Sequence, residues 1–125
     1  MKTIAVVEDN PDNRLLIRAI IDGRYTLVEY VTGWSALEGI QREPPDLVLL
    51  DISLPEMDGT EVLRRLRADP AVSHIPVLAL TAHAMRGDRQ RLLAAGFDEY
   101  VLKPILDENE LLATIARWLE AASTA

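Results

Sequence analysis

The chain alternates short apolar segments with longer amphipathic ones five times. Short apolar runs are typical of strands buried on both faces of a parallel sheet, whereas apolar residues at helical spacing are typical of helices packed on it. Strict alternation of the two therefore predicts βαβ units, with a parallel sheet covered by helices on both faces. The predicted strands are Thr3–Val7, Thr26–Val31, Asp46–Leu50, Pro76–Leu80 and Asp98–Leu102. The predicted helices are Pro11–Asp22, Trp34–Gln41, Thr60–Ala68, Arg86–Ala95 and Glu108–Ala121.

Several predicted helix ends carry residues with a capping role. Asn10 is followed by Pro11, which is the pattern of a helix N-cap with proline at the first helical position. Asp58 is placed to cap the third helix, and Gly96 to end the fourth. These signals support the predicted order of elements.

Length and charge limit the classes of function. The chain has 125 residues, enough for one domain with its own core, and a net charge of −7. This charge argues against non-specific binding to nucleic acid or anionic membranes, which requires a basic surface. We therefore expect neither as a partner. The sequence has no cysteine, which excludes disulfides, thiolate metal sites and a cysteine nucleophile. No apolar run approaches the roughly 20 residues needed to cross a bilayer, so we expect a cytoplasmic protein.

Polar residues follow four of the five predicted strands. Glu8 and Asp9 follow the first strand, Asp51 the third, Thr81 the fourth and Lys103 the fifth. The carboxyl ends of parallel strands meet at the sheet edge where open α/β folds bind ligands. Clustered carboxylates repel one another, and a divalent cation such as Mg²⁺ would relieve that cost. With the cation bound, Asp51 stays ionised and can attack phosphorus, and Lys103 can neutralise phosphoryl oxygens.

Each of these residues, taken alone, also has a purely structural explanation. Asp9 and Asn10 are common at helix starts, Thr81 is a good strand former, and Lys103 is by itself an ordinary surface charge. Lys103 precedes Pro104, however, which predicts a fixed turn, with a cis peptide as one of its forms. Such a turn would aim the ammonium back over the strand ends. The occurrence of all these residues at successive strand ends favours a functional site.

The chain resembles the receiver domain of two-component response regulators over essentially its whole length. The segments that carry the resemblance are 6–10 (VVEDN), 50–59 (LDISLPEMDG), 80–82 (LTA) and 100–104 (YVLKP). The fold expected from it is α/β and flavodoxin-like, a doubly wound (βα)5 arrangement with a five-stranded parallel sheet of order 2-1-3-4-5. Residues 81–88 are similar to those of stand-alone regulators and of receivers attached to hybrid histidine kinases.

The resemblance implies a phosphoacceptor at Asp51. The phosphoryl group would come from a histidine kinase or a histidine phosphotransfer protein. The resemblance assigns Mg²⁺ to Glu8, Asp9, Asp51 and the backbone carbonyl of Ser53. The expected reaction is self-catalysed phosphotransfer and autodephosphorylation, so the protein is not expected to be a turnover enzyme.

The resemblance also implies roles for residues around the acceptor. Thr81 and Lys103 would hold the phosphoryl oxygens, and Tyr100 would change rotamer as Thr81 moves. Ser53 and His83 occupy positions that would flank the phosphoryl group, and we expect both to tune how long it survives.

The expected output is a protein–protein interaction. Residues 1–125 are interpreted as one receiver domain without an output domain, and the predicted interface is formed by helix 4, strand 5 and helix 5. Arg86, Arg89 and Arg91 gather on the fourth helix, either as part of that interface or as a solvated face that balances nearby acids. The partners expected are the phosphodonor and a downstream protein, and the protein is expected to be a monomer or a weak dimer.

Three other functions fit parts of the sequence. A receiver-like module that binds partners without phosphorylation would not need the full set of site residues. Residues 58–60 (DGT) are similar to the DxDGT pattern of haloacid-dehalogenase phosphatases, but Glu56 stands where that pattern needs its nucleophile. A flavodoxin would need a phosphate-binding loop after the first strand, where Glu8 and Asp9 repel phosphate.

Overall fold

Five strands and five helices alternate along residues 1–82 and 87–124, which are the residues that the computed structural model describes. The strands are β1 (Thr3–Val7), β2 (Thr26–Tyr30), β3 (Leu47–Asp51), β4 (Val77–Thr81) and β5 (Glu99–Leu102). The helices are α1 (Pro11–Ile21), α2 (Gly33–Arg42), α3 (Gly59–Ala68), α4 (Asp88–Ala95) and α5 (Glu108–Thr124). Roles were predicted for His83 and Arg86, but both residues lie outside the described part of the chain.

The strands form one parallel sheet in the order β2-β1-β3-β4-β5. This confirms the predicted flavodoxin-like fold and its strand order. From β1 the chain crosses to β2 on one side, whereas β3, β4 and β5 follow on the other side. The reversal opens a crevice at the carboxyl ends of β1 and β3, which is where doubly wound sheets place their ligands.

The core has two layers, one on each face of the sheet. Successive strand residues point to opposite faces, so that Ala5 and Val7 join one layer while Ile4 and Val6 join the other. Helices α2, α3 and α4 cover the first layer, and α1 and α5 cover the second. Strands β3 and β4 are buried over their whole length, which explains their uninterrupted apolar sequences.

The helix ends follow the predicted capping chemistry. The Asn10 side chain accepts hydrogen bonds from two amides of the first turn of α1, and Asp58 accepts one from the amide of Glu61 in α3. Gly96 ends α4 in the left-handed conformation with φ 113°, which glycine adopts without a steric penalty.

Two predicted boundaries matter for the site. The third and fourth strands were predicted to end at Leu50 and Leu80. Asp51 and Thr81 are themselves the last residues of β3 and β4, because they are in register with Leu80 of β4 and Leu102 of β5. The helix that follows β3 starts close to the end of that strand. A Cβ on Gly59 would lie 2.7 Å from the Cα atom of Ile52, so a glycine is needed where α3 begins.

Among the described residues, no helix combines the length and the apolar character needed to span a bilayer.

Candidate functional site

The carboxyl ends of β1, β3, β4 and β5 bring four predicted site residues to one edge of the sheet. Asp51 and Thr81 are the last residues of β3 and β4, and both side chains are buried. Glu8 follows β1 directly and Lys103 follows β5 directly. The site is therefore a product of parallel pairing, which aligns the four strand ends.

Three carboxylates meet at this edge. One oxygen from each of Glu8, Asp9 and Asp51 lies within 4.8 Å of the other two. Glu8 and Asp51 are 0% and 2% exposed, whereas Asp9 is exposed at the mouth of the site. Carboxylate oxygens are the hard donors that Mg²⁺ selects, and this cation tolerates a site in which only a few ligands come from the protein. The cluster therefore fits the predicted Mg²⁺.

The Lys103 ammonium sits between the two buried acids. Its Nζ atom is 3.0 Å from Glu8 Oε1 and 3.0 Å from Asp51 Oδ2. The Lys103–Pro104 peptide is cis, and the Lys103 amide donates to the carbonyl oxygen of Thr81 at 2.8 Å. The backbone of Lys103 is thus hydrogen-bonded to β4, while its side chain lies between Glu8 and Asp51.

The close packing of charges shifts two pKa values. Burial raises the pKa of Glu8, and the neighbouring Asp51 carboxyl raises it further, which outweighs the lowering effect of Lys103. Burial acts to lower the pKa of Lys103, but its hydrogen bonds to Asp51 and Glu8 reverse that effect, so the pKa is raised. The ammonium accordingly stays charged, and a further cation would relieve the crowding that Glu8 experiences.

Both oxygens of the Asp51 carboxylate have donors. Oδ1 accepts from the amide of Ser53 at 2.9 Å, and Oδ2 faces Lys103. Ser53 lies in the loop after β3 and is exposed. The carboxylate is thus oriented from two sides.

The first turn of α1 holds Glu8, a role that the sequence pattern did not predict. Asn13 Nδ2 donates to Glu8 Oε1 at 3.1 Å, and the amide of Asn10 donates to Oε2 at 3.3 Å. Arg14 Nη1 donates to the carbonyl oxygens of Glu8 and Asp9, at 3.0 Å each. Two facts could have predicted this role. A buried carboxylate requires hydrogen-bond donors, and the polar residues nearest to Glu8 in the sequence are those at the start of α1.

Tyr100 precedes the end of β5 by two residues. It is in β5 opposite Ala79 of β4, is half-buried, and packs against the core layer that α2, α3 and α4 cover. Thr81 is two residues further along β4 and opposite Leu102. His83, predicted to flank the phosphoryl group, lies outside the described part of the chain.

A groove of about 520 Å³ runs along the face formed by α4, β5 and α5. Glu99 of β5 lies at its side and pairs with Arg89 of α4 at 3.6 Å and Arg117 of α5 at 3.1 Å. Arg91, also predicted for this face, pairs instead with Asp88 within α4 at 3.1 Å. The carboxylate of Glu99 therefore connects the two helices of this face.

Known proteins match the chain over most of its length. The family model for the response regulator receiver domain matches residues 4–116. The polar-differentiation response regulator DivK of Brucella ovis is 42% identical over 105 residues, which cover 83% of this chain and 85% of DivK. The sensor histidine kinase GacS of Pseudomonas protegens is 40% identical over 119 residues, 92% of this chain but only 13% of GacS.

Solved structures show the same fold. The receiver domain of the sensor histidine kinase PA1611 from Pseudomonas aeruginosa, which has a magnesium ion coordinated in its active site cleft, superposes with a TM-score of 0.86. It is 35% identical, and the match covers 95% of this chain and 98% of that one. The chemotaxis protein CheY4 of Vibrio cholerae also gives a TM-score of 0.86, at 25% identity over 94% of this chain and 98% of its own.

Proposed function

This chain belongs to the response regulator receiver domain family, and on that premise we propose that it is a phosphoacceptor switch with Asp51 as the acceptor. Receiver domains work with histidine kinases and with downstream targets in two-component systems. The observation that carries the proposal is the Asp51 carboxylate, which is buried at a strand end beside two further acids and an ammonium. The proposed donor is a histidine kinase or a histidine phosphotransfer protein.

The proposed reaction is an in-line transfer to the Asp51 carboxylate. An oxygen of Asp51 forms a bond to phosphorus while the phosphorus–nitrogen bond of the donor histidine breaks, which leaves an acyl phosphate on Asp51. Lys103 and the hydroxyl of Thr81 would stabilise the phosphoryl oxygens. When bound by Glu8, Asp9, Asp51 and the carbonyl of Ser53, Mg²⁺ would supply charge neutralisation.

The acyl phosphate would then be hydrolysed by water. The chain's own site would assist this step, so the proposed activity is a timed switch rather than turnover of a substrate. Ser53 and His83 are proposed to set the lifetime of the phosphoryl group. Exchanging each residue and timing dephosphorylation tests this role, and unchanged lifetimes in both variants would contradict it.

The proposed signal travels from Thr81 to the face formed by α4, β5 and α5. Thr81 would move toward the phosphoryl group and allow Tyr100 to turn inward. Shifting such a switch from 1:99 to 99:1 requires roughly 5.5 kcal/mol of differential stabilisation. Glu99 supports the proposal, because its pairs with Arg89 and Arg117 would have to change if α4 moved relative to α5.

The proposed biological setting is a two-component system or phosphorelay in the cytoplasm. Residues 1–125 would act as one receiver domain that binds a downstream protein as a monomer or weak dimer. The net charge of −7 argues against nucleic acid as its target. The matches to a separate regulator, DivK, and to a part of a sensor kinase, GacS, fit a stand-alone regulator and a hybrid-kinase receiver equally.

Intact mass spectrometry after incubation with acetyl phosphate and Mg²⁺ tests the proposal. We expect the protein to gain one phosphoryl group, and we expect the gain to be absent in Asp51→Asn and in the presence of EDTA. Asp12→Asn is the matched control, because this acid is exposed on the first turn of α1 and should not affect the reaction. Absence of any gain, under conditions that label an established receiver, would instead favour a binding module that works without phosphorylation.

A further inference from the structure

We propose that Arg14 is a positioning residue that holds the backbone of the acidic pair Glu8 and Asp9 for cation binding. This inference rests on the proposed function, in which both acids are ligands of Mg²⁺. The guanidinium Nη1 atom lies 3.0 Å from the carbonyl oxygen of Glu8 and 3.0 Å from that of Asp9. One side chain thus joins the two peptide units from which both carboxylates extend.

Hydrogen bonds hold the backbone on both sides of the Glu8 and Asp9 peptides that Arg14 contacts. Upstream, the amide of Glu8 donates to the carbonyl oxygen of Tyr30 in β2 at 3.0 Å. Downstream, Asn10 is fixed as the N-cap of α1. The Glu8 and Asp9 peptides lie between these two attachments, where the chain leaves the sheet. Arg14 ties this stretch to the helix that follows it.

Arg14 is itself anchored to the edge strand of the sheet. Its Nε atom is 3.7 Å from Glu29 of β2, and the side chain is only 19% exposed. The Glu29 carboxylate also accepts two hydrogen bonds from Arg18, at 2.9 and 3.0 Å. The contacts therefore run from Glu29 through the Arg14 guanidinium to the carbonyl oxygens of the acidic pair. This arrangement limits the movement of the guanidinium and, with it, that of the two peptides.

Such a restraint matters for Mg²⁺ in particular. This cation requires near-octahedral geometry and short bonds to oxygen, so its affinity falls when its ligands are not held in place. Groups that orient the ligands of a metal without touching it change metal affinity by about 10- to 100-fold when they are removed. Arg14 hydrogen-bonds the ligand residues only through their backbone, so it does not compete with the cation for their carboxylate oxygens.

The test compares Arg14→Met with Arg18→Met. Both variants remove an arginine that contacts Glu29 from the same helix, but only Arg14 also bonds the carbonyl oxygens of the acidic pair. Isothermal titration calorimetry with MgCl₂ and no phosphodonor measures binding by itself. We expect Arg14→Met to raise the dissociation constant by about tenfold and Arg18→Met to leave it unchanged.

The rate of phosphorylation provides a second measurement. With acetyl phosphate as donor, the Mg²⁺ concentration for half-maximal rate should rise in Arg14→Met, while the rate at saturating Mg²⁺ should stay near that of the parent. If Arg14 only stabilised the fold, Arg14→Met would lower the melting temperature without raising the Mg²⁺ concentration needed for half-maximal rate. Arg14→Gln serves as a second variant should the methionine protein fail to fold, since its shorter side chain cannot join both carbonyl oxygens to Glu29. We expect the same loss of affinity.

Two negative outcomes have different meanings. If the parent binds Mg²⁺ and the Arg14 variants bind it equally well, the positioning role is wrong while the proposed function stands. If the parent itself neither binds Mg²⁺ nor takes up a phosphoryl group, the proposed function fails and the role of Arg14 fails with it.

Discussion

At the scale of single residues, one ammonium offsets two buried carboxylates. Lys103 is within 3.0 Å of both Glu8 and Asp51, and its side chain is 15% exposed. Without it, two adjacent acids would remain buried and unpaired. We expect Lys103→Met to lower the free energy of unfolding by roughly 3 kcal/mol in the absence of divalent cations. Urea unfolding in EDTA measures this loss.

Mg²⁺ should reduce the destabilisation in Lys103→Met, because the cation neutralises the same carboxylates. Lys2→Met is the matched control, since Lys2 is exposed and its exchange should change stability by less than about 0.5 kcal/mol. Equal stability of Lys103→Met and the parent in EDTA would show that Lys103 does not offset the charge of the two buried carboxylates.

A second prediction at this scale concerns Glu61. Its carboxylate accepts hydrogen bonds from Arg64, which has the larger effect, and from Arg65. Together they lower the pKa of Glu61 from the unperturbed 4.5 to about 2. Between these values the unfolded chain binds the proton while the folded protein does not, so the stability contributed by the ion pairs is lost as the pH falls. The stability difference between the parent and Glu61→Gln should therefore shrink as the pH falls from 4.5 to about 2.

Chemical denaturation at several pH values measures this difference. Because the pairs are on the surface, about 1 M salt should weaken the effect. A difference that stays constant across the pH range would show that the pairs contribute nothing specific to the folded state.

The sequence predicted which residues lie at the strand ends, but not how they are held. Strand ends can be recognised from a linear pattern, so the acids, Thr81 and Lys103 were identifiable from the order of residues alone. The contacts of Asn13 and Arg14 depend on how α1 is rotated over the sheet, and sequence spacing does not determine that rotation. Polar side chains on a partly exposed helix turn look like ordinary solvated residues.

At the scale of elements, Arg67 connects the end of α3 to two other segments, the connection from α3 to β4 and the connection from α4 to β5. Its guanidinium donates to the carbonyl oxygens of Gly96, Ser73 and Ile75 and to the carboxylate of Asp98, over distances of 2.8 to 3.2 Å. Arg67→Met would leave several of these acceptors without a donor. We expect a loss of about 3 kcal/mol in the free energy of unfolding, measured by urea denaturation.

The Arg67 contacts lie near the amino-terminal ends of β4 and β5, whereas the acids lie at the carboxyl ends of the strands. The Mg²⁺ affinity of Arg67→Met should therefore equal that of the parent. Arg67→Lys should recover little stability, because an ammonium cannot reproduce the planar set of donors. Arg64→Met is the control, since its ion pair with Glu61 is exposed to solvent and should contribute little to stability. Equal stability of the Arg67 and Arg64 variants would contradict this role.

Element boundaries were predictable where a local contact sets them. The caps at Asn10 and Asp58 and the glycine at position 96 act within one helical turn, so short sequence patterns suffice. The predicted ends of β3 and β4 were each wrong by one residue, because Asp51 and Thr81 continue these strands by pairing with β4 and β5. These are contacts between distant parts of the chain. Arg67 was not identified for the same reason.

At the scale of the whole molecule, the alternation of strands and helices was sufficient to predict a parallel sheet. Right-handed crossovers leave few arrangements of five such units, and the resemblance to receiver domains selected the order that the structure shows. The groove beside β5 and α5, and the position of Glu99 between two arginines, were not predictable. They depend on how far apart the helices are packed.

Chemical trapping is the most direct test of the proposed acyl phosphate on Asp51. Borohydride reduces an acyl phosphate on aspartate to homoserine, and peptide mass spectrometry then identifies the modified position. After incubation with acetyl phosphate and Mg²⁺, we predict homoserine at position 51 and unmodified aspartate at positions 9 and 58. Homoserine at another acid, or at none while the intact protein has gained a phosphoryl group, would contradict the assignment of Asp51.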